Sequence, residues 1–187
     1  MPLVGFHRKE GVERQPHDFY ATHPDVIPPL LDLLGWQNGG RVIWENSCGQ
    51  GHLSKALEAA GHTVVSTDLI DRGYGIGGHD FLAPSWLDGL RYDAVVMNPP
   101  YKHAEAFVRK SLTVAPVVCA FLRLSFLESQ TRADLFDSHP PVAVAVFRKR
   151  MRASKDATFK KGESSAVAYA WFIWRAGNTA PPMVVWL

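Results

Sequence analysis

Short apolar runs alternate along the chain with segments whose apolar positions recur at helical spacing. Four of these runs are rich in β-branched residues and bounded by turn residues, which predicts buried strands. The four runs are 41–45, 63–68, 93–96 and 117–122. Apolar residues spaced three and four apart predict helices that begin near Ile27, Leu53 and Ala104.

Two further strands are predicted at 142–147 and 166–174, after a short helix at 126–137 that should end near Pro140. Strand and helix alternate through most of the chain, and the last two strands can form a hairpin. This order predicts an α/β fold with a doubly wound, mostly parallel sheet of about seven strands and an antiparallel terminal hairpin.

The composition is that of one globular domain, since 47% of the 187 residues are hydrophobic and 20% are charged. The net charge is only +2 and indicates no class of partner. Residues 1–16 are polar and carry Arg8, Lys9 and Arg14, so we expect a flexible basic arm there. Residues 17–187 should then form a single domain.

Residue types and their spacing disfavour several classes of protein. Two cysteines are too few for a disulfide framework, and the eight scattered histidines lack metal-ligand spacing, so we expect no metal site. No apolar run approaches the roughly 18 residues of a membrane span, and residues 1–16 are too polar for a signal peptide. We therefore expect a cytoplasmic protein with no membrane contact.

A glycine-rich turn follows the first predicted strand, with the sequence Glu45-Asn46-Ser47-Cys48-Gly49-Gln50-Gly51. Glycines here allow a ligand to approach the backbone closely, because no Cβ intervenes. The second strand ends at Asp68, 23 residues after Glu45, a spacing close to that of a ribose-binding acid in a nucleotide-binding βαβ unit. A dinucleotide-binding dehydrogenase is one alternative. Its fingerprint requires a third glycine at position 54, where this chain has Ser54.

The strand at 93–96 leads directly into Met97-Asn98-Pro99-Pro100-Tyr101. Two prolines stop the strand and restrict the backbone, so Asn98 and Tyr101 should be presented on a rigid lip at its end. An Asn-Pro pair can also be an ordinary structural turn. The glycine-rich turn at another strand end favours a functional role.

Together, the glycine-rich turn and the Asn-Pro-Pro-Tyr segment resemble the small phage-type S-adenosylmethionine-dependent methyltransferases that modify the N6 amine of adenine in DNA. The likeness extends over roughly residues 17–176. It departs from the family at His23 and Asn46, which stand where the family usually has proline. The resemblance implies a Rossmann-like class I methyltransferase fold, S-adenosylmethionine as cofactor, no metal, and the cytoplasm of a bacterium or phage-infected host cell.

The resemblance also implies roles for individual residues. In the family, an N-terminal Phe-Tyr-x-Thr motif contacts the methionine end of the cofactor, and the acid of a third motif accepts from its adenine amine. The cofactor-binding residues would be Phe19, Tyr20, Thr22, Glu45, Ser47, Cys48, Gly49, Gly51, Asp68, Asp80, Phe81 and Asn98. The catalytic residues would be Asn98, Pro99, Pro100 and Tyr101.

The chemistry of adenine explains why these residue types are needed. The N6 amine shares its lone pair with the ring and is therefore a poor nucleophile. Acceptors at the Asn98 side-chain oxygen and the Pro99 carbonyl would hold both amine hydrogens and localise the lone pair toward the methyl group. Tyr101 would supply a face on which the base stacks. A base inside a duplex cannot reach such a site, so it must be flipped or single-stranded.

Positive charge is concentrated between residues 148 and 161, which contain seven lysines or arginines and one acid, Asp156. Such a loop can be an ordinary solvated face, but it is also what attraction to phosphates requires. The candidate substrate-binding residues are Tyr101, Arg148, Arg150, Phe159, Lys160 and Lys161. We therefore expect DNA or RNA as the partner.

Three functional classes remain open. A DNA adenine methyltransferase leads, with no separate target-recognition domain. The second class is a methyltransferase acting on RNA adenine or on a protein glutamine amide, because Asn-Pro-Pro-Tyr also serves amide nitrogens. The third is a non-catalytic nucleic-acid-binding relic of the fold, which we would expect to have lost Asn98 or the glycines.

Overall fold

The computed structural model describes residues 21–149, 151, 153–154 and 167–187. Within these residues the strands are β1 Ala21–Thr22, β2 Val42–Glu45, β3 Thr63–Ser66, β4 Ala94–Met97, β5 Val117–Arg123, β6 Ala143–Val146, β7 Ala153–Ser154, β8 Tyr169–Arg175 and β9 Met183–Trp186. The α-helices are α1 Ile27–Leu34, α2 His52–Ala59, α3 Ala104–Val114 and α4 Ala133–Ser138. The predicted basic arm at 1–16 lies outside the described residues.

Seven of the strands form one sheet in the order β3-β2-β4-β5-β8-β6-β9. Four of its six neighbouring pairs are parallel, and β8 pairs antiparallel with both β5 and β6. Strand β8 therefore runs against the other six. This confirms the predicted α/β class, with a mostly parallel sheet that reverses only at its terminal hairpin.

Both faces of the sheet are covered by helices, which is why its central strands are apolar throughout. All of β4 and the first six residues of β5 are buried. One core receives α1 and α2, through residues such as Leu30 and Leu57, and the other receives α3 and α4, through Val108 and Leu135.

Several predicted boundaries were wrong in detail. The helix expected at 126–137 is broken into two 3-10 turns, Leu124–Leu127 and Gln130–Arg132, before α4 begins. Ser129 caps the second turn by accepting from the backbone N–H of Thr131, which restarts the backbone and interrupts the helix.

Thr22 and Asp25 are residue types that can cap a helix, but neither of them caps α1. A 3-10 turn, Pro24–Val26, precedes the helix, and the cap of that turn is His23, whose Nδ1 accepts from the Asp25 backbone N–H. Thr22 instead lies in β1, which pairs antiparallel with β7. The backbone at 153–154, within the basic segment, is thereby held against the residues that precede α1.

Strand β9 was not predicted. It is parallel to β6 and forms one edge of the sheet, with Met183, Val184 and Trp186 largely exposed. No helix among the described residues is long and apolar enough to cross a membrane.

Candidate active site

A cavity opens at the carboxyl ends of β2, β3 and β4, which is where ligands bind in open α/β sheets. Twelve of the predicted site residues line it. They are Thr22, Glu45, Ser47, Cys48, Gly49, Asp68, Asp80, Phe81, Asn98, Pro99, Pro100 and Tyr101. The fold therefore brings the glycine-rich turn and the Asn-Pro-Pro-Tyr segment to one place.

Asp68 connects the end of β3 to the glycine-rich turn. One carboxylate oxygen accepts from the Gly49 backbone N–H at 2.8 Å, and the other accepts from the Ile70 backbone N–H at 2.9 Å. The side chain thus caps the strand end and orients the turn at once. Each oxygen still has a lone pair for a further donor, such as a ribose hydroxyl.

Glu45 is buried beneath this turn, with only 2% of its surface exposed. Its carboxyl accepts a hydrogen bond from Ser54, whose hydroxyl is also 2.6 Å from that of Ser66. Burial raises the pKa of Glu45 to about 8, so the group is mostly protonated at neutral pH. Ser54 was noticed in the sequence only as a missing glycine, yet it is the residue that holds the acid.

Gly51 adopts a left-handed backbone conformation, with φ +77°, but does not line the cavity. A Cβ at this position would collide with the ring of Tyr74. The Tyr74 hydroxyl donates to the Glu58 carboxylate at 3.0 Å. The sequence suggested that a side chain at Gly51 would fill cofactor space, whereas its immediate neighbour is Tyr74.

The segment 73–78 is rich in glycine, yet it is anchored on both sides. Ile76 pairs with Thr67 in an isolated bridge, and a Cβ at Gly75 would press on the backbone of Ser66. Tyr74 closes over the glycine-rich turn, and its carbonyl lies 3.6 Å from the Cys48 sulfur. Cys48 lines the cavity, and burial raises the pKa of its thiol to about 12, which disfavours the thiolate at neutral pH.

Asn98 is the point at which three sequence motifs meet. Its side-chain Nδ2 donates to the Thr22 hydroxyl at 2.7 Å, and its backbone carbonyl accepts from the Ser47 hydroxyl at 3.1 Å. Oδ1 is the acceptor of this amide, and the bond from Nδ2 to Thr22 fixes the direction in which Oδ1 points. Pro99, which follows, is buried.

Tyr101 is fixed in position by its neighbours. Its hydroxyl lies 2.8 Å from that of Tyr169, the first residue of β8, and the Arg123 guanidinium carbon lies 4.2 Å from its ring centroid. Burial and the neighbouring Tyr169 raise the pKa of Tyr101 far above its usual value, so the phenol stays neutral. Neither Arg123 nor Tyr169 was singled out in the sequence.

Asp80 and Phe81, the two residues of the third predicted motif, differ in burial: the first is exposed and the second is in the core. Asp80 is exposed at the cavity and accepts from the Leu82 backbone N–H at 2.9 Å. Phe81 is 1% exposed and packs edge-on against Trp44, with ring centroids 5.0 Å apart. Phe81 therefore lies mainly in the core behind the cavity wall.

Other candidates cannot be placed. Phe19, Tyr20, Arg150, Phe159, Lys160 and Lys161 lie outside the described residues. Arg148 and Lys149 are exposed just after β6 ends. Among the residues that the structure does describe, no group of three or more histidine, cysteine or acidic side chains could hold a metal ion.

Comparison with known proteins gives a result at the level of the fold. No family model matches the sequence, and neither does any curated protein. A proposed RNA methyltransferase from Pyrococcus horikoshii superposes with a TM-score of 0.58 at 17% identity, over 79% of this chain and 80% of that one.

Two further solved structures extend the likeness. Magnesium protoporphyrin IX methyltransferase from Synechocystis, solved with bound S-adenosylmethionine, gives a TM-score of 0.54 at 14% identity, covering 81% of this chain and 76% of that one. A dimethyladenosine transferase from Plasmodium falciparum gives 0.54 at 14% identity, covering 83% and 62%. This chain therefore has the Rossmann-like fold of S-adenosylmethionine-dependent methyltransferases.

Proposed function

We propose that the protein transfers a methyl group from S-adenosylmethionine to the exocyclic N6 amine of adenine in DNA, with the base flipped or single-stranded. The observation that carries this proposal is the meeting of Ser47, Asn98 and Thr22 at one cavity, through hydrogen bonds of 3.1 and 2.7 Å. It joins the glycine-rich turn to the amide that would bind the amine.

The residues at the cavity fit the cofactor. Asp68 offers carboxylate lone pairs suited to ribose hydroxyls, and Gly49 brings backbone without a side chain to the cavity wall. Asn46 adds a buried acceptor, because its Oδ1 has no hydrogen-bond partner among the described residues while its Nδ2 donates to Ser111. Such an orphaned oxygen in the wall suits an ammonium donor.

When bound, S-adenosylmethionine supplies an electrophilic methyl group. The chain's own contribution is to position and polarise the amine. Asn98 Oδ1 and the Pro99 carbonyl accept its two hydrogens, which moves its lone pair out of conjugation with the ring. Pro99 and Pro100 have no backbone N–H that could compete for the same acceptors. The proton released after transfer leaves to solvent, and no metal or covalent nucleophile is required.

The decisive experiment uses tritiated S-adenosylmethionine with duplex DNA, single-stranded DNA, RNA and a glutamine-containing protein. Products are digested and separated, and label in N6-methyladenine from DNA is the expected result. Label in cytosine, in glutamine or in no product would contradict the proposal.

Two variants connect that activity to the site. Asn98→Ala should lower turnover by orders of magnitude while cofactor affinity changes little, because the lost interactions matter most in the transition state. Asn38→Ala is the matched control, since Asn38 is an exposed amide in the turn before β2, at the opposite edge of the sheet. Its turnover should equal that of the wild type.

RNA adenine is a second candidate substrate. It is favoured by the RNA methyltransferase among the solved structures of the same fold. The substrate panel separates the two directly, because N6-methyladenine would then come from RNA and not from DNA.

A further inference from the structure

The carboxyl ends of three strands meet at the edge of the sheet that holds the cavity. Strands β4 and β5 are parallel, and β8 runs antiparallel to both β5 and β6, so β6 has the direction of β5. This edge therefore carries Asn98 just after β4, Arg123 at the end of β5, and Arg148 and Lys149 just after β6.

Arg123 has uncharged neighbours, whereas Arg109 and Arg41 have carboxylate partners. Arg109 pairs with both Glu105 and Asp134, and Arg41 lies 3.9 Å from Asp93. No carboxylate of the described chain lies within ion-pair distance of Arg123, whose side chain is exposed. Its neighbours are aromatic and neutral.

The contact of Arg123 with Tyr101 determines which N–H donors of the guanidinium can bind a further group. With its carbon 4.2 Å from the ring centroid, the planar group packs against the ring of Tyr101. The contact of the cation with the ring face does not itself use the N–H groups as hydrogen-bond donors. The hydroxyls of Tyr169 and Tyr101 can accept from only part of the five-donor fork.

We propose that Arg123 binds a backbone phosphate of the nucleic-acid substrate beside the target adenine, an inference that rests on the proposed function. Arg123 has more N–H donors than its two tyrosine neighbours can accept, and no carboxylate of the described residues pairs with it, so its guanidinium can meet the bidentate geometry of a phosphate. The stack holds the fork in place before the substrate arrives, so little side-chain entropy is lost on binding. The same ring that would stack on the base thus positions the group that binds its backbone.

Further basic residues lie at the same edge of the sheet as Arg123 and could contact the nucleic acid beyond the first phosphate. Arg148 and Lys149 follow β6 at the same edge, and they too have no ion pair among the described residues. The backbone at 153–154 pairs with 21–22, next to the Thr22 that contacts Asn98. Positive charge therefore extends from Arg123 to Arg148 and Lys149 at the edge of the sheet where β5 and β6 end.

The test is the salt dependence of oligonucleotide binding by Arg123→Gln, measured with a fluorescent adenine-containing duplex and its single strand. Loss of one phosphate contact should reduce the slope of log affinity against log salt by about 0.9 for duplex and about 0.7 for single strand. For duplex, the ratio of variant to wild-type Kd should then shrink about 3.5-fold between 50 and 200 mM salt. A purely structural role would not change this slope.

Arg175→Gln is the matched control. Arg175 is also an exposed arginine at a strand end without an ion pair, but it pairs in register with Val117, at the opposite end of β5 from Arg123. Its slope should equal that of the wild type. Arg123→Lys, which keeps the charge but not the planar fork, should retain the wild-type slope.

The outcomes separate the two proposals. A wild-type protein that methylates adenine in an oligonucleotide, with an unchanged slope in Arg123→Gln, overturns the phosphate contact alone. The phosphate contact is also overturned if Arg123→Lys or Arg175→Gln reduces the slope as much as Arg123→Gln does. The reduced salt dependence would then not result from the loss of positive charge at position 123. A wild-type protein that methylates no nucleic acid overturns the proposed function and this inference with it.

Discussion

Asn98 and Thr22 are 76 residues apart in the chain, yet the Asn98 amide donates to the Thr22 hydroxyl at 2.7 Å. This bond fixes the orientation of the amide plane, and therefore the direction in which the Asn98 side-chain oxygen can accept a hydrogen bond. It also ties the lip after β4 to β1, which is paired with β7. A polar contact of this kind can position the Asn98 side chain within the cavity.

Removing that contact should impair turnover more than binding. Thr22 is 4% exposed, so Thr22→Val fills the same space but offers no acceptor to Asn98. We expect turnover to fall by roughly tenfold or more, because the amide loses its orientation for the transition state. Thr22→Ser keeps the hydroxyl and should retain most of the activity. Equal rates for the two variants would show that this bond does not position Asn98.

Stability measurements can isolate the contact between Gly51 and Tyr74. Gly51→Ala forces a side chain into a left-handed conformation, at a cost of about 1–2 kcal/mol, and also drives its Cβ into the Tyr74 ring. Gly35→Ala is the control, because Gly35 has φ +70° with open space around it. Urea unfolding should show the larger loss for Gly51→Ala. The excess should disappear in a Tyr74→Ala background, and an excess that persists there would implicate another contact.

Glu45 should make stability depend on pH. Burial raises its pKa from the ordinary 4.5 to about 8, so between these values the folded state holds a proton that the unfolded state has lost. Stability from this group is therefore lost as pH rises, by up to about 1.4 kcal/mol per unit, and changes no further above pH 8.

Glu45→Gln provides the measurement of that effect. Glutamine keeps an acceptor for Ser54 but cannot ionise. Relative to the wild type, the variant should gain stability steadily from pH 5 to pH 8 in urea unfolding. A difference that stays constant across this range would mean that Glu45 is ionised in the folded protein.

The ring and the hydroxyl of Tyr101 should have separable roles. Tyr101→Phe removes the 2.8 Å contact with Tyr169 but keeps a face for stacking, so methylation should largely persist with lower stability. Tyr101→Ala should raise the KM for oligonucleotide by an amount equivalent to about 1–3 kcal/mol of lost stacking. A double-mutant cycle with Tyr169→Phe measures the hydroxyl pair itself. Equal KM values for the Phe and Ala variants would exclude stacking on Tyr101.

Much of the fold could be predicted from local signals. Strand β4 is apolar, short and stopped by two prolines, so its position and the place where it ends could be predicted from a few consecutive residues. The glycine-rich turn and Asp68 were likewise recognisable, because the spacing of a βαβ unit constrains both. These features depend on backbone preferences that act within a few positions.

Other features depended on partners far away in the chain. Strand β9 pairs with β6 at the edge of the sheet, where Met183 and Val184 are exposed. It was not predicted because its sequence has no alternation of apolar and polar residues that would indicate an edge strand. One continuous helix was predicted at 126–137 because the spacing of apolar residues does not show that Ser129 caps a new turn and interrupts the helix.

The sequence by itself determined most of the element types, their alternation and half of the residues that line the cavity, because periodicity and chain-breaking residues act locally. Only the tertiary structure decided that Ser54 holds Glu45, that Tyr74 covers Gly51 and that Arg123 stacks on Tyr101. The stack on Tyr101 requires β4 and β5 to be neighbours, and the 68-residue separation of Tyr101 and Tyr169 is closed by β8 pairing with β5. Long-range register is set by the packing of the whole core, which no short window of the sequence contains.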